Sequence, residues 1–516
     1  MFATLYALSF IALAISIVLW FFFQKNILGK KIPQYLFAFS LVAYLISFVF
    51  VEDVLNHKLL WLLPRELLGL LVTTFLSKKM SSAGINHLYL VVGIILGSYF
   101  SYFDTLKSSF ASSSSVHHSG VSADGEILFD IKNPAELAEL TKMLSVYEVK
   151  VKKAFPDVID TDITELDDYY VLDVPTKYED KLNEILLLLH KSGKTDDEEL
   201  NEVLSLDPNE LKTQKRAKLL STSNYAINDP HLDKLWAFSQ MNFKEFYSYV
   251  NTTELVPQKK ARIAILDTGV DANHEDIKDN FFSINSQYDI DKQSHGTHCA
   301  GIAAATSNNQ LGIASFATAG NFVEVTSVKV LDDNGMGTEQ TIINGIIEAA
   351  DNKVDVISMS LGGPKRAEKQ RAYDVAIKYA NDKGVIVVVA AGNEGQNAKK
   401  VVPASCKGVI TVSAVDNQLK KASFSNWVTD ISYGIAAPGV DIYSTIPNNQ
   451  YKSNSGTSMA TPYVAGIVGI MKAINPLLTT QDVYEILHST GIETQNTKET
   501  GRFIQPYEVL KKFNNP

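Results

Sequence analysis

Three short motifs in the second half of this 516-residue chain bring together groups that can move protons and form covalent bonds. Asp267 ends the run Ile-Leu-Asp-Thr-Gly, His295 opens His-Gly-Thr-His, and Ser458 lies in Ser-Gly-Thr-Ser-Met-Ala-Thr-Pro. A serine hydroxyl is a poor nucleophile near neutrality, so a neutral imidazole has to take its proton as it attacks. A carboxylate then fixes the imidazole tautomer and stabilises the imidazolium that forms. Each motif alone has a plainer account. Asp-Thr-Gly after a strand is often only a turn, and His295 with His298 could ligate a metal or cap a helix. The metal reading lacks a nearby third ligand and leaves the serine motif unexplained. In the order Asp, His, Ser, the three supply an orienting carboxylate, a base and a nucleophile for acyl transfer.

Side chains so far apart in sequence need a scaffold. β-Branched runs at 263–266, 325–330, 354–359, 385–390 and 409–414 are bounded by turn residues, as in parallel strands buried on both faces. Helical patterns fall at 295–305, 338–351 and 371–383. The pattern predicts an α/β domain with a doubly wound, mostly parallel sheet, whose sites form at the carboxyl ends of its strands. Ser458 is expected to start a helix, with Gly456 allowing close approach and Pro462 tolerated in the first turn.

With these residues in this order, 225–516 resembles a subtilisin-family serine protease (a subtilase, peptidase family S8). The resemblance implies that Asp267, His295 and Ser458 are catalytic. It also makes Asn393, in Ala-Gly-Asn-Glu-Gly, an oxyanion donor beside the Ser458 N–H, where the plain reading is a turn asparagine. Ser360-Leu361-Gly362 and Gly335-Met336-Gly337 would flank an extended peptide and pair with it as added strands. Ala391 and Gly392 would form an apolar wall, which favours a hydrophobic residue before the cut. Asp229, Asp276, Thr306, Asn309, Leu311 and Ile313 resemble a structural calcium site, with the hard oxygen ligands that Ca²⁺ takes. Their plain reading is a turn residue, a helix cap and a loop. No organic cofactor is implied. Cys299 would pack beneath the site and Cys406 near the substrate pocket, with nothing pairing them.

The first half of the chain differs in kind. Apolar runs at 5–23, 35–51, 59–76 and 85–103 have the length of membrane spans, although Pro64, Arg65 and Glu66 leave an interfacial alternative for the third. Lys25, Lys30, Lys31, Lys78 and Lys79 fall on one side of such a bundle, against Lys58, Arg65 and Lys107 on the other. That bias places both termini outside the cytoplasm. A Ser-rich linker (104–125) leads to a module at 126–207. Its pattern predicts a strand at 127–131 buried on one face, a helix begun by Asn133-Pro134, strands at 150–155 and 168–174, a helix at 178–190 and a last strand at 201–206. This βαββαβ order is ferredoxin-like and says nothing of chemistry. From the resemblance it would be a propeptide acting as an intramolecular inhibitor; a simple spacer is the alternative. A basic linker, 208–224, joins it to the catalytic region.

Composition narrows the partners. A net charge of −10 argues against nucleic acid, and 2 cysteines exclude a disulfide framework. The expectation is a membrane-tethered serine endopeptidase acting on polypeptides outside the cytoplasm. The alternative is a self-inhibited or non-catalytic sensory protein that uses the fold as a scaffold.

Overall fold

The structure is a computed structural model that describes residues 122, 125–206, 225, 227–253, 255–318, 321–365 and 370–514. The four apolar runs, nearly all of the 104–125 linker and the 208–224 linker lie outside the described residues. Among the described residues no helix is long and apolar enough to cross a membrane.

The module begins with β1 (Ile127–Ile131), β2 (Lys150–Lys153), β3 (Tyr169–Asp173) and β4 (Thr195–Leu200), in the antiparallel order β2-β3-β1-β4. Helices Leu137–Met143 and Leu182–Ser192 cover one face. There Ile127, Phe129 and Ile131 pack with Leu140, Tyr170, Leu182, Ile185 and Leu189. The strand period sends Leu128 and Val171 to the other face, where they join a core that contains Ile346, Ile347, Tyr373 and Ala376 of the catalytic domain. β1 is therefore buried on both faces, not on one as its alternation predicts. The second cover is another domain, which a local pattern does not reveal.

A second difference lies at the module's end. Its last strand is β4, formed by the acidic run Thr-Asp-Asp-Glu-Glu-Leu, and not 201–206. Residues Val203–Ser205 form β5, which leaves the module and pairs antiparallel with β8 (Met336–Thr338) of the catalytic domain.

The catalytic domain is built on seven strands in the order β17-β14-β13-β11-β9-β6-β7, and every neighbouring pair is parallel. They are β6 (Ala261–Asp267), β7 (Val323–Lys329), β9 (Val356–Met359), β11 (Ile386–Ala390), β13 (Val409–Val415), β14 (Gly434–Pro438) and β17 (Arg502–Phe503). The last two are absent from the expected set. Gly-Ile-Ala-Ala-Pro carries one β-branched residue, yet it is fully buried beside β13. A short pair, β10 (Gly363–Pro364) with β12 (Val401–Val402), and the hairpin β15 (Ile442–Ile446) with β16 (Gln450–Asn454) complete the strands. The chain moves outward from β6 to β7, then returns to β6's other side with β9. β6 is thus the switch point of the sheet, where sites of this architecture form, and Asp267 is its last residue.

Candidate active site

Asp267 is fully buried, and its carboxylate oxygens accept from His295 Nδ1 at 2.9 and 2.8 Å. Oδ1 also accepts from Thr268 N at 2.8 Å. His295 opens the helix His295–Ala304, which approaches the Asp267-Thr-Gly turn very closely. A Cβ on Gly296 would lie 2.0 Å from the Gly269 carbonyl oxygen, so only glycine fits there. His298 points elsewhere: its Nε2 lies 3.0 Å from the Lys452 carbonyl. The two histidines therefore do not share a ligand.

A third metal-type donor does stand near His295, contrary to the sequence reading. Cys299 Sγ, an imidazole nitrogen of His295 and an Asp267 oxygen all lie within 4.8 Å of one another. The imidazole and carboxylate face each other at hydrogen-bond distance, however, which leaves no room for an ion between them. Cys299 Sγ lies 3.5 Å from the Ser458 carbonyl, so the same thiol links the Asp–His pair to the serine.

The sequence analysis misses the residue that sets this helix in place. Asp291 Oδ1 accepts from Thr268 Oγ1 (3.0 Å) and from the N–H groups of Gln293 and Ser294 (both 2.9 Å). Its Oδ2 accepts from Thr297 N (2.9 Å) and Thr297 Oγ1 (2.7 Å). One buried carboxylate thus satisfies the Thr297 N–H, while the His295 and Gly296 N–H groups go to Gln293 Oε1 and to the Thr268 hydroxyl that Asp291 holds, so the helix start is fixed against the residue that follows Asp267. The available signal was an aspartate four residues before His295, followed by Thr297.

Ser458 is the second residue of the helix Thr457–Ile474. Pro462 lies in the second turn, not the first. Lacking an N–H, it frees the Ser458 carbonyl four residues earlier, which accepts instead from Ser360 Oγ at 2.8 Å. The Ser458 hydroxyl donates to the Ser360 carbonyl at 3.3 Å. The proline is therefore what lets Ser360 brace the serine from a different strand end.

Asn393 follows β11. Its Oδ1 accepts from Thr457 N (2.8 Å) and Thr457 Oγ1 (2.9 Å), which turns the NH₂ end of the amide away from Thr457. A Cβ placed on Gly456 would lie 3.6 Å from both Asn393 Nδ2 and Ser458 N. Two donors thus face one small space that Gly456 keeps open, as an oxyanion requires.

The two glycine-rich edges are occupied by β5. Ser205 pairs with Met336 on one side and with Gly362 on the other, and Leu206 N donates to the Gly335 carbonyl at 2.9 Å. Leu204, opposite Gly337, is buried in the core that holds Leu331, Ile342 and Leu361. Its burial contributes about 1.5–3 kcal/mol. Met336 stays half-exposed, while Ala391 is buried beneath the Gly392 turn. Cys406 lines a cavity of about 280 Å³ with Lys399 and Lys407. Burial pushes its thiol pKa up.

At the loop that follows the His295–Ala304 helix, Asp229 accepts from Asn308 N (2.8 Å) and Asn309 N (3.2 Å). Asp276 accepts from Ile313 N (2.8 Å) and Asn309 Nδ2 (2.9 Å). Burial pushes the Asp276 carboxyl up to about 7, and neighbouring Asp229 adds to the effect. The Thr306 hydroxyl is buried without a partner. No donor among the described residues is directed at the carbonyls of Thr306, Leu311 or Ile313. Two crowded carboxylates and idle carbonyls form a hard, anionic oxygen set, which suits Ca²⁺.

Residues 258–504 match the sequence profile of the Subtilase family, peptidase S8. Thermitase of Thermoactinomyces vulgaris is 44% identical over 216 residues, 41% of this chain and 74% of that protein. Subtilisin DY of Bacillus licheniformis is 39% identical over 242 residues, 45% of this chain and 83% of that protein. A thermophilic serine proteinase of Bacillus sp. (strain AK1) is 44% identical over 214 residues, 40% of this chain and 51% of that protein. With these relatives, and with an aspartate–histidine pair at the end of a parallel sheet's strand and a helix-borne serine, the chain belongs to the subtilase family and is a serine-type endopeptidase.

Proposed function

We propose that Ser458, His295 and Asp267 act as the nucleophile, base and orienting carboxylate of a membrane-tethered endopeptidase that works outside the cytoplasm. The observation that carries the reading is the bidentate approach of His295 Nδ1 to Asp267, since it leaves the opposite ring nitrogen to serve as the base. Ser458 Oγ attacks the scissile carbonyl as His295 takes its proton. The resulting oxyanion is held by Asn393 Nδ2 and Ser458 N. The imidazolium then protonates the leaving amine, and water repeats the sequence on the acyl-enzyme. Tethering rests on the four apolar runs, and orientation on the lysine bias around them.

Substrate polypeptides would pair with the edges at Gly335–Gly337 and Ser360–Gly362. A large apolar residue belongs where Leu204 sits. The module is read as an intramolecular inhibitor because β5 takes up both edges that a substrate needs. That same pairing keeps the self-inhibited sensory alternative in play. Asp229, Asp276 and Asn309 would hold Ca²⁺ with the carbonyls of Thr306, Leu311 and Ile313, and the ion would supply structural cross-linking. A fluorophosphonate probe discriminates the readings. Labelling of the full-length chain that vanishes in Ser458→Ala and His295→Ala supports the protease. An unlabelled wild type that stays unlabelled after the module is cut away would overturn it.

A further inference from the structure

The module meets the catalytic domain through two opposite kinds of charged contact. On one side Arg371 pairs with Asp130 (3.4 Å) and Glu165 (2.6 Å), and Lys383 pairs with Asp160 (2.5 Å). On the other side, acids face an acid. β4 and the residues after it carry Asp197, Glu198, Glu199 and Glu202, and Glu339 opens the helix Glu339–Asp351 across from them. Docking also caps that helix, since Glu339 N donates to the Glu202 carbonyl (2.8 Å) and Gln340 N to Asn201 Oδ1 (3.0 Å).

Glu339 is only 7% exposed and borders a cavity of about 530 Å³ shared with Glu198, Glu199, Glu202, His190 and Lys365. No cation or hydrogen-bond donor among the described residues reaches its carboxylate at bonding distance; the charged groups acting on it are Glu199, Glu202 and Asp197. His190 Nδ1 is held by Glu198 at 2.8 Å. Buried Tyr373 and Cys406 stand behind Glu339, with Asp374 beside Cys406, and none of them supplies a positive charge.

We infer that docking of the module takes up a proton at the Glu339 interface, so that the tail leaves the cleft more readily as pH rises. The inference rests on the reading of the module as an inhibitor. In the undocked domain Glu339 would meet water at a helix N-terminus, which favours its anion. In the docked state burial, and then the three module acids, push its pKa well above the usual carboxylate range. An acid raised on docking favours the docked state at pH values below its docked pKa. As pH rises from the free to the docked pKa, that contribution is progressively lost.

Hydrogen exchange on the full-length Ser458→Ala chain, which cannot cut itself, tests this directly. After correction for intrinsic exchange, protection of residues 336–340 should fall by up to about tenfold per pH unit as Glu339 ionises. Glu339→Gln should flatten that dependence. Glu199→Gln, on the module side, should weaken it without touching the catalytic domain. Protection in Ala261–Asp267 serves as the folding control. Protection that falls equally in Glu339→Gln would overturn the inference. Absence of protection at every pH would overturn the inhibitor reading beneath it.

Discussion

Asn393 is asked to do two things with opposite ends of one amide, and the two can be separated. Its Oδ1 holds the backbone N–H of Thr457, a fully buried residue, at 2.8 Å, while its Nδ2 faces the space beside Ser458 N. Asn393→Ala removes both functions. Leaving the Thr457 N–H without an acceptor costs about 1–3 kcal/mol. At about 2–4 °C per kcal/mol for a domain of this size, melting should drop by roughly 2–12 °C. Loss of one oxyanion donor lowers kcat by about 10²–10³, a figure that itself comes from a subtilisin.

Asn393→Asp keeps the acceptor and removes the donor. Its carboxylate sits near the start of the helix Thr457–Ile474, where negative charge is favourable by about 0.3–1 kcal/mol. Melting should therefore stay near wild type, while kcat falls at least as far as in Asn393→Ala because a fixed negative charge now faces the oxyanion. The assay is kcat on a peptide amide at saturating substrate, normalised to fluorophosphonate-titrated sites, alongside calorimetry of the same samples. An Asn393→Asp enzyme that keeps its kcat within a few-fold would refute the oxyanion assignment. So would activity losses in both variants that merely follow the fraction unfolded.

Gly456→Ala should cost no more than about 1 kcal/mol of stability, the loss expected from alanine at an N-cap, because beyond its chain neighbours the new methyl meets nothing closer than 3.6 Å. Its kcat should nonetheless fall about as far as that of Asn393→Ala, since the methyl enters the space where the oxyanion forms; unchanged turnover would show that the oxyanion sits elsewhere. Chelation of calcium should lower the melting temperature of the wild-type chain, in proportion to the logarithm of free ion on re-addition. Asp276→Asn should be indifferent to the chelator, and a wild type equally indifferent would remove the metal site. In the wild-type chain the first new N-terminus should fall after Pro208, because the Asp207–Pro208 bond joins a ring nitrogen whose substituents crowd the approach of the proton donor. Ser458→Ala should stay full-length, and a wild type that stays full-length while hydrolysing added peptides would show that the module is not a cleaved propeptide.

The placement of Asp267, His295 and Ser458 was legible because each stands in a motif set by local geometry: a strand end, a close-packed glycine and a helix start. Asp291 was not, because its work is to accept from backbone N–H groups, and that leaves no mark beyond an aspartate in a polar stretch. β14 was missed because its burial comes from β13 and the helix cover, not from β-branched residues of its own. β4 was missed for the opposite reason. Four consecutive acids look like a solvated loop, yet Thr195–Leu200 pairs along the whole of β1, with Asp197 buried and Glu198 held by His190 and Thr195 of its own module.

The misplaced last strand has the most to say about function. Val203, Leu204 and Leu206 have the apolar character of a strand, and an isolated module would seem the natural place for them. In the module β4 takes the edge beside β1, however, and the chain then leaves that sheet to pair where the catalytic domain presents N–H and C=O groups. The catalytic domain offers two such edges a single strand apart, at Met336–Thr338 and Gly362, and Ser205 reaches both. A segment held on both sides by backbone bonds is recognised through its extended shape, so any polypeptide able to straighten there can compete for the place. What favours β5 over such competitors is the rest of the module. Its sheet packs on the catalytic helices, its ion pairs reach Arg371 and Lys383, and its attachment keeps the local concentration high. On the proposed inhibitor reading, control of the enzyme therefore resides in the docking face and not in the tail. A substitution at Leu204 should weaken inhibition modestly, whereas one that opens the Leu128–Val171 face should release the tail altogether. Comparing fluorophosphonate labelling rates of Leu204→Ala and Val171→Asp in the full-length chain decides the point, and a faster rate for Leu204→Ala would place control in the tail after all.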